Sequence, residues 1–279
     1  MWPEALRPLG GTGAASRPVL LVVAHPDDET IGAGALLPHL LDARILHLTD
    51  GAPLERRWWG DPSPGTREEY ARLRRAELRA ALTLAGFPDE RVHSLGLVDQ
   101  GASADLTRLA RDLRDVIADL RPELVLTHPY EGGHPDHDAS AFAVHTACGV
   151  LAIEGSRPPR IAEFTSYHAG RNGELVTGDF VEPRGGDVAR IVLTTEERAL
   201  KRRMLDCFAS QRNTLAAFAV EVECFRPAPS YDFTRPPHPG ELHYERFQWG
   251  VTGPEWRERA SSALAELGLP APRAGAPSD

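Results

Sequence analysis

Apolar residues along this chain fall into short unbroken runs separated by stretches of helical periodicity. Residues 19–24 are a continuous β-favouring run, and their length suits a strand buried on both faces. It is far below the ~20 residues that span a bilayer. Residues 31–41, rich in Gly, Ala and Leu, predict a closely packed helix, which begins a βαβ unit. Residues 44–50 supply a second strand, followed by a loop over 51–65 that holds Arg56, Arg57, Trp58 and Trp59. From Thr66 to Leu84, apolar positions at Tyr70, Leu73, Ala76, Ala80 and Leu84 keep helical spacing. Thr66 with Glu69 makes a capping box, and Gly86 ends the helix. A strand near 93–97, a helix over 106–120, a strand over 123–127 and a helix over 138–151 continue the alternation.

This order predicts an α/β fold, Rossmann-like, with a mainly parallel sheet and helices on both faces. One domain is expected over residues 18–269, with a flexible tail at 1–17 and a disordered Pro-, Ala-, Gly- and Ser-rich tail at 270–279.

Composition narrows the function classes. The 279 residues include 42% apolar side chains, enough for a substantial core. A net charge of −9 repels the phosphate backbone, so nucleic acid is not an expected partner. Neither a signal-peptide pattern nor a membrane-spanning run is present, and three widely spaced cysteines without a CxxC pattern fit a reducing compartment. A soluble, cytoplasmic protein is expected, and the sequence leaves a homo-oligomer open.

Two clusters carry the chemistry. Ala24-His25-Pro26-Asp27-Asp28-Glu29 follows the first strand, and His134-Pro135-Asp136-His137-Asp138-Ala139 follows the strand at 123–127. Each places two potential ligands three residues apart, His25 with Asp28 and His134 with His137. Ligands of such sheets bind beyond the carboxyl ends of the strands, so the clusters can meet at one rim. Two imidazoles and one carboxylate suit Zn²⁺ with an open position, where bound water drops from a pKa of ~15.7 to roughly 7. That implies hydrolysis. A carboxylate beside the metal but unbound would take the water's proton, and Asp27 has that place if Asp28 is the ligand. His134 could stabilise or protonate the developing tetrahedral species, with Asp136 fixing the His134 ring. The competing reading is structural, since Asp27, Asp28, Asp136 or Asp138 could simply cap the helices that follow.

The pairing of AHPDDE with HPDH resembles the PIG-L/LmbE-like deacetylases, zinc-dependent enzymes that remove N-acetyl groups from glucosamine-type sugars. Arg74-Arg75-Ala76-Glu77-Leu78 with Ala81 and Gly86, Asp99 after Gly96-Leu97, and the segment 201–211 extend the likeness over roughly residues 18–250. The resemblance implies that His25, Asp28 and His137 bind zinc, with Fe²⁺ or another divalent ion as an alternative. It makes Asp27 the general base and His134 the partner of the tetrahedral intermediate, and it matches Arg74 and Asp99 to substrate-binding positions. The implied substrate is an N-acetylglucosamine-type sugar or conjugate, on malate, inositol, a chitin-derived oligosaccharide or a secondary metabolite. One departure stands out. Family members of thiol-cofactor biosynthesis carry Tyr two residues before the first His of HPDH, and Gly132 occupies that position here. Tyr130 is the nearest substitute, and protonated Asp27 or His134 are the other candidates for the leaving-group acid.

Two rival classes share these residues, an Fe(II) oxygenase on the same ligand set and a non-catalytic metal- or sugar-binding homologue. An unligated carboxylate at Asp27 argues against the second. Elsewhere, Trp58 and Trp59 stand equally as sugar-stacking rings or as packing, and residues 225–249 are either a packed wrap or a lid. His128 is a candidate second-layer residue. His39, His47, His93, His145 and His168 are expected as ordinary core or surface histidines, and the cysteines as buried thiols.

Overall fold

A computed structural model describes residues 18–181 and 188–269. The two expected tails, 1–17 and 270–279, lie outside the described residues. In chain order the elements are β1 (Val19–Val23), α1 (Asp28–Ala33), β2 (Ala43–Pro53), α2 (Arg67–Leu84), β3 (Val92–Asp99), α3 (Leu106–Leu120), β4 (Leu124–Thr127), α4 (Pro135–Ile153) and β5 (Arg160–Phe164). A small hairpin follows, β6 (Tyr167–Ala169) and β7 (Leu175–Thr177). The chain then forms β8 (Ala189–Val192), α5 (Thr195–Asp206), α6 (Arg212–Leu215), β9 (Val222–Pro227) and α7 (Gly253–Glu266).

The main sheet has the order β3-β2-β1-β4-β5-β9-β8. Its first five strands are parallel, and β9 and β8 close one side antiparallel. The order reverses between β1 and β4, which lie side by side with Val22 opposite Thr127. A crevice opens beyond the carboxyl ends of strands at such a switch point. The two histidine clusters follow these two strands.

β1 is buried along its whole length, as its unbroken apolar run requires. Val19, Leu21 and Val23 face a core shared with Leu78 and Leu82 of α2 and with Met204 and Leu205 of α5. Leu20 and Val22 face the opposite core, shared with α3, α4 and Trp256 of α7. Period-two alternation thus assigns one strand's side chains to two helical layers.

Several expected boundaries shift for local reasons. The helix expected over 31–41 stops at Ala33, and a 3₁₀ turn at Leu37–His39 with Pro38 inside it follows. Proline cannot donate to the ladder and disfavours a helical residue before it. Gly32 is required within α1, because a Cβ there would lie 2.1 Å from the Phe164 ring. The helix expected over 138–151 begins at Pro135, within the second cluster, with His134 at its N-cap. The Thr66–Glu69 capping box forms as expected.

Candidate active site

The turn after β1 supplies the first half of the site. Asp27 has φ 133°, a conformation costly for a side chain with Cβ and typical of functional turns, by about 1–3 kcal/mol. This turn starts α1, so Asp28 lies in the helix's first turn while Asp27 stands outside it. The second half comes from the loop after β4 and the first turn of α4. There Asp138 Oδ1 accepts the amides of Glu131 and Gly132, pinning the loop back onto the helix.

Asp28 is the meeting point. Its Oδ1 lies 3.2 Å from His137 Nε2, and its Oδ2 lies 3.3 Å from His25 Nδ1. Donors held around one small ion at about 2.0–2.1 Å are separated by about 3.3 Å at tetrahedral angles. Each histidine–Asp28 pair thus has the spacing of two ligands on one ion, and all three side chains are buried. Burial opposes ionisation of Asp28, but the neighbouring His137 holds its carboxyl well below the usual range. For His25, burial disfavours the imidazolium, yet Asp99, Asp136 and Asp28 together raise its pKa well above the ordinary value. The surroundings favour positive charge.

Ring orientation is set from behind. Ser166 Oγ sits 3.3 Å from His137 Nδ1, which leaves Nε2 toward Asp28. Asp136 Oδ2 lies 3.3 Å from His25 Nε2, and its two oxygens accept the amides of Gln100 and Ala102. Three donor groups that could each hold an ion share members with these side chains, His25-His134-His137, His25-Asp99-His134-Asp136 and Asp28-His128-His137. In the last, His128 Nε2 accepts the Ala24 amide at 3.2 Å, so its lone pair is already occupied. His128 stacks on His137 at 4.0 Å and supports that ring.

Asp27 and His134 flank this centre. Asp27 Oδ2 accepts from Arg74 at 2.8 Å, and the same guanidinium donates to the Pro26 carbonyl. Burial raises the Asp27 carboxyl to about 7, with Arg74 acting against the rise. His134 Nδ1 accepts the Asp136 amide at 3.1 Å, which leaves its proton on Nε2, and Nε2 stands 3.9 Å from Asp99 Oδ1. Burial, with His25 and His137 beside it, pushes the His134 pKa well down, so the ring is a neutral donor.

His25, Asp27, Asp28, Arg74, Asp99, His134 and His137 all line one cavity of about 400 Å³. Three expectations change. Tyr130 does not reach this cavity. It is buried against Tyr231, Phe233 and Trp256, and its hydroxyl donates to the Arg235 carbonyl. Asp136 orients His25 through its carboxylate, and only its backbone amide touches His134. Arg74 is engaged by Asp27 and Pro26 instead of standing free for substrate.

Other side chains enter from segments whose approach no local pattern announces. Tyr167, at the start of β6, lines the cavity with its ring 5.2 Å from that of His137. Burial, then the carboxylates of Asp28, Asp99 and Asp27, raise its phenol well above the ordinary value, so it keeps its proton. The alternatives for residues 225–249 divide. Tyr231, Phe233 and Tyr244 are core, while Phe247 and Trp249 line the cavity. The tryptophan pair divides likewise, Trp58 lining the cavity and Trp59 stacking on Tyr70 at 5.1 Å. Gly132 has φ +69°, and a Cβ there would crowd the Leu242 side chain at 2.7 Å, so a side chain at this position would be strained.

Fold and site define an LmbE-like α/β protein with a histidine–carboxylate centre at the sheet's switch point. The chain belongs to the PIG-L family: residues 20–148 match the family described as GlcNAc-PI de-N-acetylase. It is 32% identical over 164 residues to a probable N-acetyl-alpha-D-glucosaminyl L-malate deacetylase 2 of Bacillus anthracis, covering 56% of this chain and 70% of that protein. A protein of the same description from Bacillus subtilis (strain 168) is 35% identical over 130 residues, 45% of this chain and 58% of the relative. This chain thus spans 58% and 70% of the length of these two relatives. Among solved structures, the N,N'-diacetylchitobiose deacetylase of Pyrococcus horikoshii superposes with a TM-score of 0.53 at 20% identity, covering 81% of this chain and 87% of that one. That likeness is one of fold. Among the described residues no helix is long and apolar enough to cross a membrane.

Proposed function

We propose that the protein is a zinc-dependent hydrolase that removes the acetyl group from an N-acetylglucosamine-type sugar or conjugate. The single observation that carries this reading is the grouping around Asp28. Two imidazoles converge on the two oxygens of one carboxylate, with a second, unligated carboxylate next to it. The family and the names of the relatives support the same chemistry.

His25, Asp28 and His137 would hold the ion, and zinc suits a mixed nitrogen and oxygen set with one position open. When bound, the ion supplies Lewis acidity to a water molecule and to the amide carbonyl. Asp27, held near neutrality by burial, takes a proton from the attacking water and can return it to the departing amine. Arg74 fixes which way that carboxylate faces. His134 donates its Nε2 proton in a hydrogen bond to the oxygen that gains charge, a role that a neutral imidazole fills without losing its proton. Tyr167, which also keeps its proton, is a second donor on the same cavity wall. Asp99 reaches the cavity between His25 and His134, where it accepts hydrogen bonds from sugar hydroxyls.

The test is acetate release from a panel of N-acetylated sugars by the metal-loaded protein, with metal content measured in parallel. Release by the wild type and its loss in Asp27→Asn at unchanged metal content are expected. Retained turnover in that variant would sink the assignment of the base. Oxygen consumption without acetate release would point instead to iron chemistry on the same ligands.

A further inference from the structure

The cavity is chemically lopsided. Its inner end holds the histidines and carboxylates, and its outer wall is a row of aromatic rings. Phe247 and Trp249 stack at 4.5 Å, and Trp58 meets them edge-on at 6.2 and 6.1 Å. Trp249 continues the row to His134, with ring centroids 4.6 Å apart. An apolar wall of ring edges and faces therefore runs outward from the group assigned to the reacting carbonyl. All three rings are half-buried.

Two features say what chemistry would cover this wall. The indole N–H groups of Trp58 and Trp249 are shielded and have no hydrogen-bond partner. With no accessible surface of their own, these donors are not offered to the cavity, and what the wall presents to a ligand is apolar ring surface. Cations are scarce as well. Among the described residues, Arg74 is the cavity's one lysine or arginine; its Nη2 is taken by Asp27 and Pro26, and its buried Nη1 lies 3.5 Å from Glu77. Arg57 lies outside the cavity, over the Trp58 ring at 5.0 Å, and is paired with Glu55 at 2.8 Å. A malate conjugate would bring two carboxylates to an outer wall that, among the described residues, offers no free lysine or arginine, with Asp99 at the inner end.

We propose that the site selects N-acetylated amino sugars whose anomeric substituent is uncharged and aryl or otherwise apolar, seated against the aromatic wall that Trp58 helps to form. This rests on the deacetylase reading and narrows it. The full-length zinc-loaded protein would be given phenyl N-acetylglucosaminide and N-acetylglucosaminyl malate, and acetate release followed. Binding of the corresponding free amines, phenyl glucosaminide and glucosaminyl malate, would be followed separately by tryptophan fluorescence.

The expected result is a kcat/KM at least tenfold higher for the phenyl substrate. Trp58→Ala should bring that ratio close to one, mainly through KM of the phenyl substrate, and Trp58→Phe should retain part of it. Trp59→Phe, which alters a ring packed on Tyr70 outside the cavity, should leave the ratio as it is. A preference for the malate substrate, or a ratio indifferent to Trp58, overturns the proposal. If no substrate releases acetate, the deacetylase reading falls, and the fluorescence measurement still decides this one. At least tenfold tighter binding of phenyl glucosaminide, weakened by Trp58→Ala, supports it; equal or tighter binding of the malate amine overturns it.

Discussion

Asp27 and Arg74 meet at 2.8 Å as a buried ion pair that joins the turn after β1 to the middle of α2. Arg74 spans the Asp27 carboxylate and the Pro26 carbonyl, and so braces a residue held at φ 133°. Removing the cation leaves a buried carboxylate alone. Arg74→Met should therefore destabilise the fold by about 3–5 kcal/mol. In the fraction that folds, the Asp27 pKa should rise further, because Arg74 now opposes its increase. A base works only when deprotonated, so kcat/KM is lost as pH falls through its pKa. The acidic limb of the variant's pH profile should lie above that of the wild type, whose own limb lies at or below about 7 once a cation is bound nearby. An unmoved limb would separate Asp27 from the rate.

Asp27→Asn keeps the side chain's size but cannot accept a proton. Turnover should drop by about 10²–10⁴-fold. Elemental analysis should still find close to one ion per chain, since Asp27 is not among the proposed ligands. His25→Ala and His137→Ala should lose metal and activity together, and full zinc occupancy in either would contradict the ligand set.

Ser166 touches the far nitrogen of His137 and no part of the cavity itself. Ser166→Ala should weaken metal affinity by about 10–100-fold through loss of ring orientation. Titration with a competing chelator measures this directly. At saturating zinc, the variant's activity should recover.

Lys201 and Glu223 form a buried pair at 2.8 Å that ties α5 to β9. Lys201 also donates to the Ile31 carbonyl and Glu223 accepts the Ala35 amide, so the pair clamps the segment that ends α1. Lys201→Met leaves Glu223 buried without its cation, and unfolding in denaturant should show a loss of about 3–5 kcal/mol. The double variant with Glu223→Leu should recover part of that loss, because the remaining charge is gone.

His145 on α4 packs edge-on against Tyr231 and Phe233, at 5.3 and 5.7 Å, and its Nε2 has no hydrogen-bond partner. Burial lowers its pKa from 6.5 to about 4. Between those values the unfolded chain binds a proton that the folded chain refuses. Its contribution to stability is therefore complete above about pH 6.5 and is lost as pH falls toward about 4. Denaturant unfolding at pH 7.5 and 5 should show a smaller difference in His145→Leu than in the wild type. Equal differences would place the acid sensitivity elsewhere.

Local pattern was enough for much of the framework. The apolar run at β1 could only be a strand covered on both faces, and the Thr66–Glu69 box located the start of α2 because capping is a contact between near neighbours. The paired spacing of His25 with Asp28 and of His134 with His137 marked both halves of the centre, since a turn's geometry is written in adjacent residues. The expected helix over 31–41 failed where proline chemistry outweighed composition.

Partnership across the chain followed a different rule. Tyr130 was the nearest tyrosine to the second cluster in sequence, yet the loop after β4 turns it into the aromatic core, while Tyr167 reaches the cavity from the segment after β5. Asp136 looked like the support of His134 and instead faces His25, because α4 directs its carboxylate toward the end of β3. The sequence by itself determined the strand and helix order, the two clusters and the residue types available for chemistry, all set by periodicity and short-range bonding. The tertiary structure alone decided which imidazole meets which carboxylate, that Arg74 is bound to Asp27, and that Trp58 and Trp249 share one wall. Those contacts depend on strand register and helix placement between segments up to about two hundred residues apart, and no local spacing encodes them.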